Sequence, residues 1–205
     1  MKKSLFVIAL TFVIAFSADA QKFKAGLILG VAGTQVSGDN LGGFDKAGIA
    51  AGGMVSTPLS EKFDIAFEIL YFQKGSRKNI KPDNEDYTSY LLRLNYFEVP
   101  IMLQWKYSKR FMFEAGPTFG ALLSSLEEDQ FGEIPESREF NKYEVGIAGG
   151  MKIHFAKNFS STLRIASSVL PVRKHASQET YQLNRGQYNA AILFALQYTF
   201  KKNNE

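Results

Sequence analysis

Three glutamates interrupt apolar runs in which a carboxylate is out of place: Glu68 in FEILYF, Glu98 in YFEVPIM and Glu114 in MFEAGP. A carboxylate withdrawn from water must be neutralised or paired, since leaving it bare costs on the order of several kcal/mol. Groups of this kind serve as general acids or bases, as metal ligands or as ion-paired struts, and their neighbours decide which. Two histidines, His154 and His175, are the available imidazole bases. His175 with Ser177 and Glu179 brings a base, a hydroxyl and an acid close in sequence, but it follows Arg173 and Lys174 in a polar stretch and reads as a solvated loop residue. EEDQFGE supplies hard oxygen donors from Glu127, Glu128, Asp129 and Glu133, without the spacing or the placed turn glycine of a calcium loop, so it reads as a solvated acidic loop. GDNLGG, from Gly38 to Gly43, has no helix pattern after it and is no phosphate cradle. No catalytic residue, metal or cofactor is therefore assigned, and the embedded glutamates read as interior struts.

What must position those struts follows from composition. The 205 residues suit one domain, and the absence of cysteine excludes disulfides, thiolate catalysis, zinc-cysteine sites and a lipidated cysteine anchor. Aromatic content is high, with 18 Phe and 9 Tyr, whereas Lys and Arg are scattered and form no patch interleaved with stacking rings, so no nucleic-acid partner is expected. Lys2 and Lys3, the apolar run Leu5 to Phe16 and the small-residue signal Ala18-Asp19-Ala20 predict a secretory signal peptide over residues 1–20, cleaved before Gln21. Its loss removes two lysines and one aspartate from 24 basic and 20 acidic residues, leaving 22 and 19. After Gln21 no apolar stretch approaches the roughly 18 residues a membrane helix requires. If the 21–205 domain spans a membrane, it does so with strands.

Period-two alternation runs through the rest of the chain. Phe63, Ile65, Phe67, Ile69 and Tyr71 form one uniformly large and apolar face; Asp64, Ala66, Glu68, Leu70 and Phe72 form a mixed one. The same alternation places Glu98 and Gln104 opposite in facing to Phe97 and Trp105, and Glu144 and Lys152 opposite in facing to Tyr143 and Met151. Eight segments of this kind fall near residues 22–33, 46–57, 63–74, 91–106, 111–124, 141–155, 160–170 and 187–201. Tight turns at 58–62, 108–110 and 156–158 alternate with long connections, the order of an eight-stranded antiparallel up-and-down transmembrane barrel with short periplasmic turns and long extracellular loops. A soluble barrel of lipocalin type would instead turn the large apolar face inward and leave Gly26, Gly30, Gly116, Gly120, Gly146 and Gly150 facing water, where strand glycines are unfavourable. Aromatics at strand ends, among them Phe63, Tyr71, Trp105, Tyr107, Tyr143 and Tyr188, predict two interfacial girdles, and Pro100 and Pro117 predict bends or bulges.

EILYFQKGSR, LNYFEVPIMLQWKY, FMFEAGPTFGALLSS and NKYEVGIAGGMKIHF, in that order, resemble the outer-membrane β-barrel family of porin-like and PorT-like proteins of Gram-negative bacteria. The resemblance implies a fold and an outer-membrane location, carries no catalytic motif, and includes a branch that supports protein secretion through the type IX system. On this reading Glu68 points into the lumen and Lys74-Gly75-Ser76-Arg77 is where the strand leaves the membrane. Counting outward from each turn, Gln104 is expected opposite Glu114, Glu114 opposite Lys152 and Lys152 opposite Arg164, so that Glu68, Gln104, Glu114, Lys152 and Arg164 form one charged belt, with Glu98 and Glu144 as further lumen charges. Arg77, Lys78, Lys81, Glu127, Glu128, Asp129, Arg173 and Lys174 are expected on external loops, where opposite signs can pair with each other or meet partners and lipid phosphates. The function this favours is a non-catalytic barrel with a filled lumen, acting in the envelope through its external loops, with outer-membrane lipid and another envelope or secretion protein as partners. A small-solute pore and a loop-borne outer-membrane enzyme are the alternatives, and no small-molecule ligand is indicated.

Overall fold

A computed structural model describes residues 23–39, 41–134, 139–174 and 186–200. Strands β1 (Lys24–Ser37), β2 (Lys46–Pro58), β3 (Phe63–Lys78), β4 (Tyr90–Lys106), β5 (Phe111–Asp129), β7 (Tyr143–His154), β8 (Phe159–Ser168) and β9 (Tyr188–Thr199) pair antiparallel with their neighbours. β1 pairs with β9 from Gly26↔Thr199 to Ser37↔Tyr188, so the eight long strands close into a barrel. The two-residue β6 (Gly132–Glu133) folds back on the end of β5, which therefore runs on as a hairpin past the wall proper. The predicted signal peptide lies outside the described residues.

Each strand shows one face to the lumen and one outward, as the pleat requires. Asp64, Ala66, Glu68, Leu70, Phe72 and Lys74 of β3 are buried, while Phe67 and Ile69 between them are exposed. Around the wall Leu29, Val31, Ile147 and Ile165 are each 58–66% exposed. A continuous apolar surface of this kind far exceeds what a soluble monomer shows to water, and lipid is the solvent that covers it. Toward the short turns, exposed rings join into a belt: Trp105 meets Tyr107 and Phe113 at centroid distances of 5.7 and 5.9 Å, and Phe159 meets Tyr198 at 5.0 Å. Tyr188, expected in the opposite girdle, is instead buried, so it contributes nothing to the lipid-facing belt.

The prolines act differently from the expectation of bulges. Pairing between β3 and β4 lapses from Phe67↔Ile101 to Leu70↔Glu98, across Pro100, and resumes in the same register; β4 and β5 lapse likewise between Pro100↔Thr118 and Leu103↔Ala115, across Pro117. A missing N–H opens a gap in the ladder without inserting a residue. The shift in register falls between Asn95 and Tyr96.

Closure leaves no strand edge from which unfolding can begin. The barrel is expected to migrate faster on a denaturing gel when loaded unheated than after boiling; identical mobility of the two samples would contradict a closed, detergent-resistant wall.

Candidate functional site

The lumen holds the chain's chemistry, arranged in tiers along the barrel axis. In the tier nearer the short turns, Arg164 of β8 grips Glu68 of β3 through both terminal nitrogens, Nη1 to Oε2 at 2.7 Å and Nη2 to Oε1 at 2.8 Å. β3 and β8 are separated by β2, β1 and β9, so they lie on opposite sides of the eight-stranded wall and this fork spans the lumen. The same guanidinium donates from Nε and Nη2 to Glu114 Oε1 at 2.9 and 2.6 Å. Glu114 Oε2 accepts from Gln104 Nε2 at 3.0 Å and lies 3.5 Å from Lys152 Nζ. All five residues are at most 3% exposed, and two carboxylates face two cations. Paired bidentate geometry is what offsets the desolvation of these ions.

Gln104 does sit opposite Glu114, as counting from the short turn requires. Lys152 does not sit opposite Glu114 or Arg164: it pairs with Met112 and Thr162, and Gly150 occupies the position facing both Glu114 and Arg164. The turn between β7 and β8 is centred on Lys157, with His154 opposite Ser160, and β5 and β7 pair about Gly132, with Ala121 opposite Tyr143, so both registers move by two residues. A shift of two preserves the facing of every side chain. It also puts bare backbone between acid and base: a Cβ on Gly150 would lie 2.3 Å from the Leu163 carbonyl oxygen.

A second tier lies toward the loops. Lys74 Nζ is bonded to Glu98 and, at 2.8 Å, to Glu144, beneath the rings of Phe72 and Tyr96 at 5.1 and 5.3 Å. Asn189 Nδ2 donates to Glu144 Oε2 at 2.7 Å. Lys74 was expected at the membrane exit, yet it is buried, because β3 continues to Lys78 and Lys74 shares the inward facing of Glu68. Its even spacing from Asp64 and Glu68 was the signal in the sequence for this position.

The mouth is closed by a third group. Val36, Leu92, Leu94 and Tyr96 form a buried cluster against Leu122 and Phe140. Above it Arg173 forks onto Glu127 at 2.6 and 3.1 Å, donates to Gln187 at 2.8 Å and stacks 4.2 Å over Phe140, while Tyr90 Oη donates to Glu127 at 2.5 Å. Glu127 is thus no solvated loop acid but a buried strand residue, and Arg173 no free loop cation. Burial opposes the Arg173 charge, and the Glu127 carboxylate more than offsets this and raises its pKa. Of the other external charges, Arg77, Glu128 and Asp129 belong to strand ends, Lys174 is exposed, and Lys81 bridges to Asp86 through backbone. Lys78 reaches Asp86 at 2.8 Å, and with Thr88 it holds that carboxyl well below the usual carboxylate range. His154 Nε2 lies 3.0 Å from Met112 Sδ. Ser177, Glu179 and His175 lie outside the described residues, and among the described residues no group of three His, Asp or Glu is placed to hold a metal.

The outer membrane protein beta-barrel domain family matches residues 13–172. Among solved structures, Ail, the attachment invasion locus protein of Yersinia pestis, in complex with the heparin analogue sucrose octasulfate, superposes with a TM-score of 0.50 at 11% identity, covering 87% of this chain and 99% of that one. Neisserial surface protein A gives a TM-score of 0.47 at 10% identity, with 87% and 97% covered. No match to the sequence is found among curated proteins.

The geometry makes Arg164 the hub of the lower tier. Arg164→Met is expected to destabilise the refolded barrel by about 3 to 5 kcal/mol, since it leaves buried Glu68 uncompensated and Glu114 with Lys152 as its one cation. In double-mutant cycles read by urea unfolding, the coupling between Glu68 and Arg164 should exceed that between Glu114 and Lys152, whose contact is longer and single. Equal or absent coupling would mean that the fork across the lumen is not formed.

Proposed function

Because the chain belongs to the outer membrane protein beta-barrel domain family, we propose that it is a non-catalytic integral outer-membrane protein that acts as an interaction component of the envelope through its external loops, with support of protein secretion as one such role. Export through cleavage of residues 1–20 is part of this proposal. The observation that carries it is the filled lumen. Side chains bordering a water-filled channel are wetted, yet Glu68, Glu114, Lys152, Arg164, Lys74 and Glu144 are all 3% exposed or less. Eight strands enclose a bore that side chains can fill, and here ion pairs and the apolar mouth cluster fill it. The loops, by contrast, offer exposed rings: Phe131 at the tip of the β5–β6 hairpin is 89% exposed and Tyr87 66%. Exposed aromatics on polar loops are the usual anchors of protein interfaces.

Refolded protein in planar bilayers is expected to show no sustained solute-sized conductance; a persistent open level would replace this reading with that of a small-solute pore. Photo-crosslinkers at Tyr87 or Phe131 in intact cells are expected to give a discrete adduct with another envelope protein, while one at lipid-facing Leu163 gives none. Protease added to intact cells should cut within 79–89 or 130–142 and spare the turns at 59–62 and 107–110; the reverse pattern would invert the topology.

A further inference from the structure

Three cations near the loop end of β3 make no ion pair among the described residues. Lys46 of β2 points inward beside Thr34, whose hydroxyl lies 3.1 Å from the Lys46 carbonyl oxygen and 3.0 Å from that of Gly75. β3 leaves its ladder with β2 after Ala50↔Phe72, and Gly75 adopts a φ of 137°, a backbone state that glycine tolerates and side chains resist. The Lys46 side chain runs along β3 here: a Cβ on Gly75 would lie 2.9 Å from Lys46 Cδ. Its Nζ reaches a carbonyl, that of Ala47 at 3.1 Å, and its charged neighbours are Arg93 and Arg77. Arg93 is the cross-strand partner of Gly75, and Arg77 follows two residues along β3. Both face outward, and neither guanidinium makes an ion pair or side-chain hydrogen bond among the described residues. The nearest acid on the outer face, Glu128, lies on β5 opposite Leu91, diagonal to Arg93, and with Asp129 it borders a cleft that Arg77 also lines, yet neither arginine is ion-paired to it. Lys78, next to Arg77, is by contrast satisfied by Asp86.

Height on the wall identifies what these charges face. Outward residues change from Phe97 and Tyr71 to Asn95 and Gln73 and then to Arg93 and Gly75. Arg93 lies twelve residues along β4 from Trp105 in the turn-side aromatic belt, about 30 Å up the wall at ~3.4 Å per residue and a tilt of about 40°. The apolar band of such barrels is about 25 Å tall, so the arginines stand just past it, at the headgroups of the outer leaflet. Guanidinium groups that make no protein ion pair at that depth complement a phosphate, and a guanidinium fork binds phosphate bidentately.

We propose that Lys46, Arg77 and Arg93 form a binding site for the phosphate-bearing headgroup of an outer-leaflet lipid, held against the barrel wall beyond the end of the β2–β3 ladder. Arg77 and Arg93 make the contacts, and Lys46 lies behind them in the wall. The site is independent of any loop partner, because it lies on the wall.

The test uses the full barrel refolded into phosphatidylcholine vesicles containing either lipid A with its phosphates or the dephosphorylated form, with lipid retained through detergent exchange measured by mass spectrometry. Wild type is expected to retain the phosphorylated form selectively. Arg77→Gln with Arg93→Gln should bind it about thirty-fold more weakly, on the usual scale for two interfacial cations. Lys78→Gln, which removes an equally near but paired charge, should bind as wild type does, and the gel-mobility shift confirms that both variants fold. Equal retention by the double variant, equal retention of the dephosphorylated lipid, or displacement of the lipid by millimolar inorganic phosphate would each overturn the assignment, the last by making it a site for a free anion.

Discussion

The guanidinium of Arg164, forked onto Glu68 on the far wall and bonded to Glu114 on the near one, is the contact around which the lumen is arranged. Attraction between these groups is large because the lumen excludes water, and for the same reason an unmatched charge there would be costly. That constraint propagates outward. Across the bore that eight strands set, opposite walls stand at the reach of two side chains, and Gly150 must stay bare because a Cβ there would meet the β8 backbone at Leu163 and Arg164. A barrel filled in this way exchanges a channel for rigidity. Its outer face is left to lipid and its loops to partners.

Buried ion pairs are weak evidence of stability, since apolar residues of like volume often serve as well. Their use here has a reason in the wall itself. The outward side chains must all be apolar for lipid, so they distinguish one strand register from another poorly, and a slip of two residues would leave them equally content. Charges in the lumen do distinguish: displaced by two, Arg164 would lose its fork to Glu68. The lower tier therefore specifies alignment between strands that are never hydrogen-bonded neighbours. The upper tier does the same between β3 and β7 through Lys74 and Glu144, while Glu98 ties Lys74 to the adjacent β4.

Facing was legible in the sequence, and distance along the strand was not. Alternation alone placed Glu68, Gln104, Glu114, Lys152 and Arg164 on one side of the wall, because the pleat has a period of two whatever the neighbours do. The short turn at Ser108 fixed Gln104 opposite Glu114, but the next connection is long and does not mark its own centre, which falls at Gly132 and moves Lys152 by two. Lys74 and Glu127 were misplaced for a common reason: polar residues near a strand end look like the start of a loop, and β3 and β5 rise well beyond the apolar band before they turn. Arg173 was harder still, since its burial depends on Glu127, Gln187 and Phe140, brought together by closure rather than by sequence.

Charge balance along the axis links the lumen to the outer surface. Glu68 and Glu114 are matched by Lys152 and Arg164, whereas Glu98 and Glu144 share Lys74, so the upper tier carries one carboxylate in excess. Lys46, the next buried lysine toward the loops, touches neither acid. The lumen acids are held by Lys74, Lys152 and Arg164, and none of them reaches Arg77 or Arg93, whose guanidinium groups stand outside the wall at headgroup height. The lumen network is thus closed within the barrel, and these two arginines are left to the membrane.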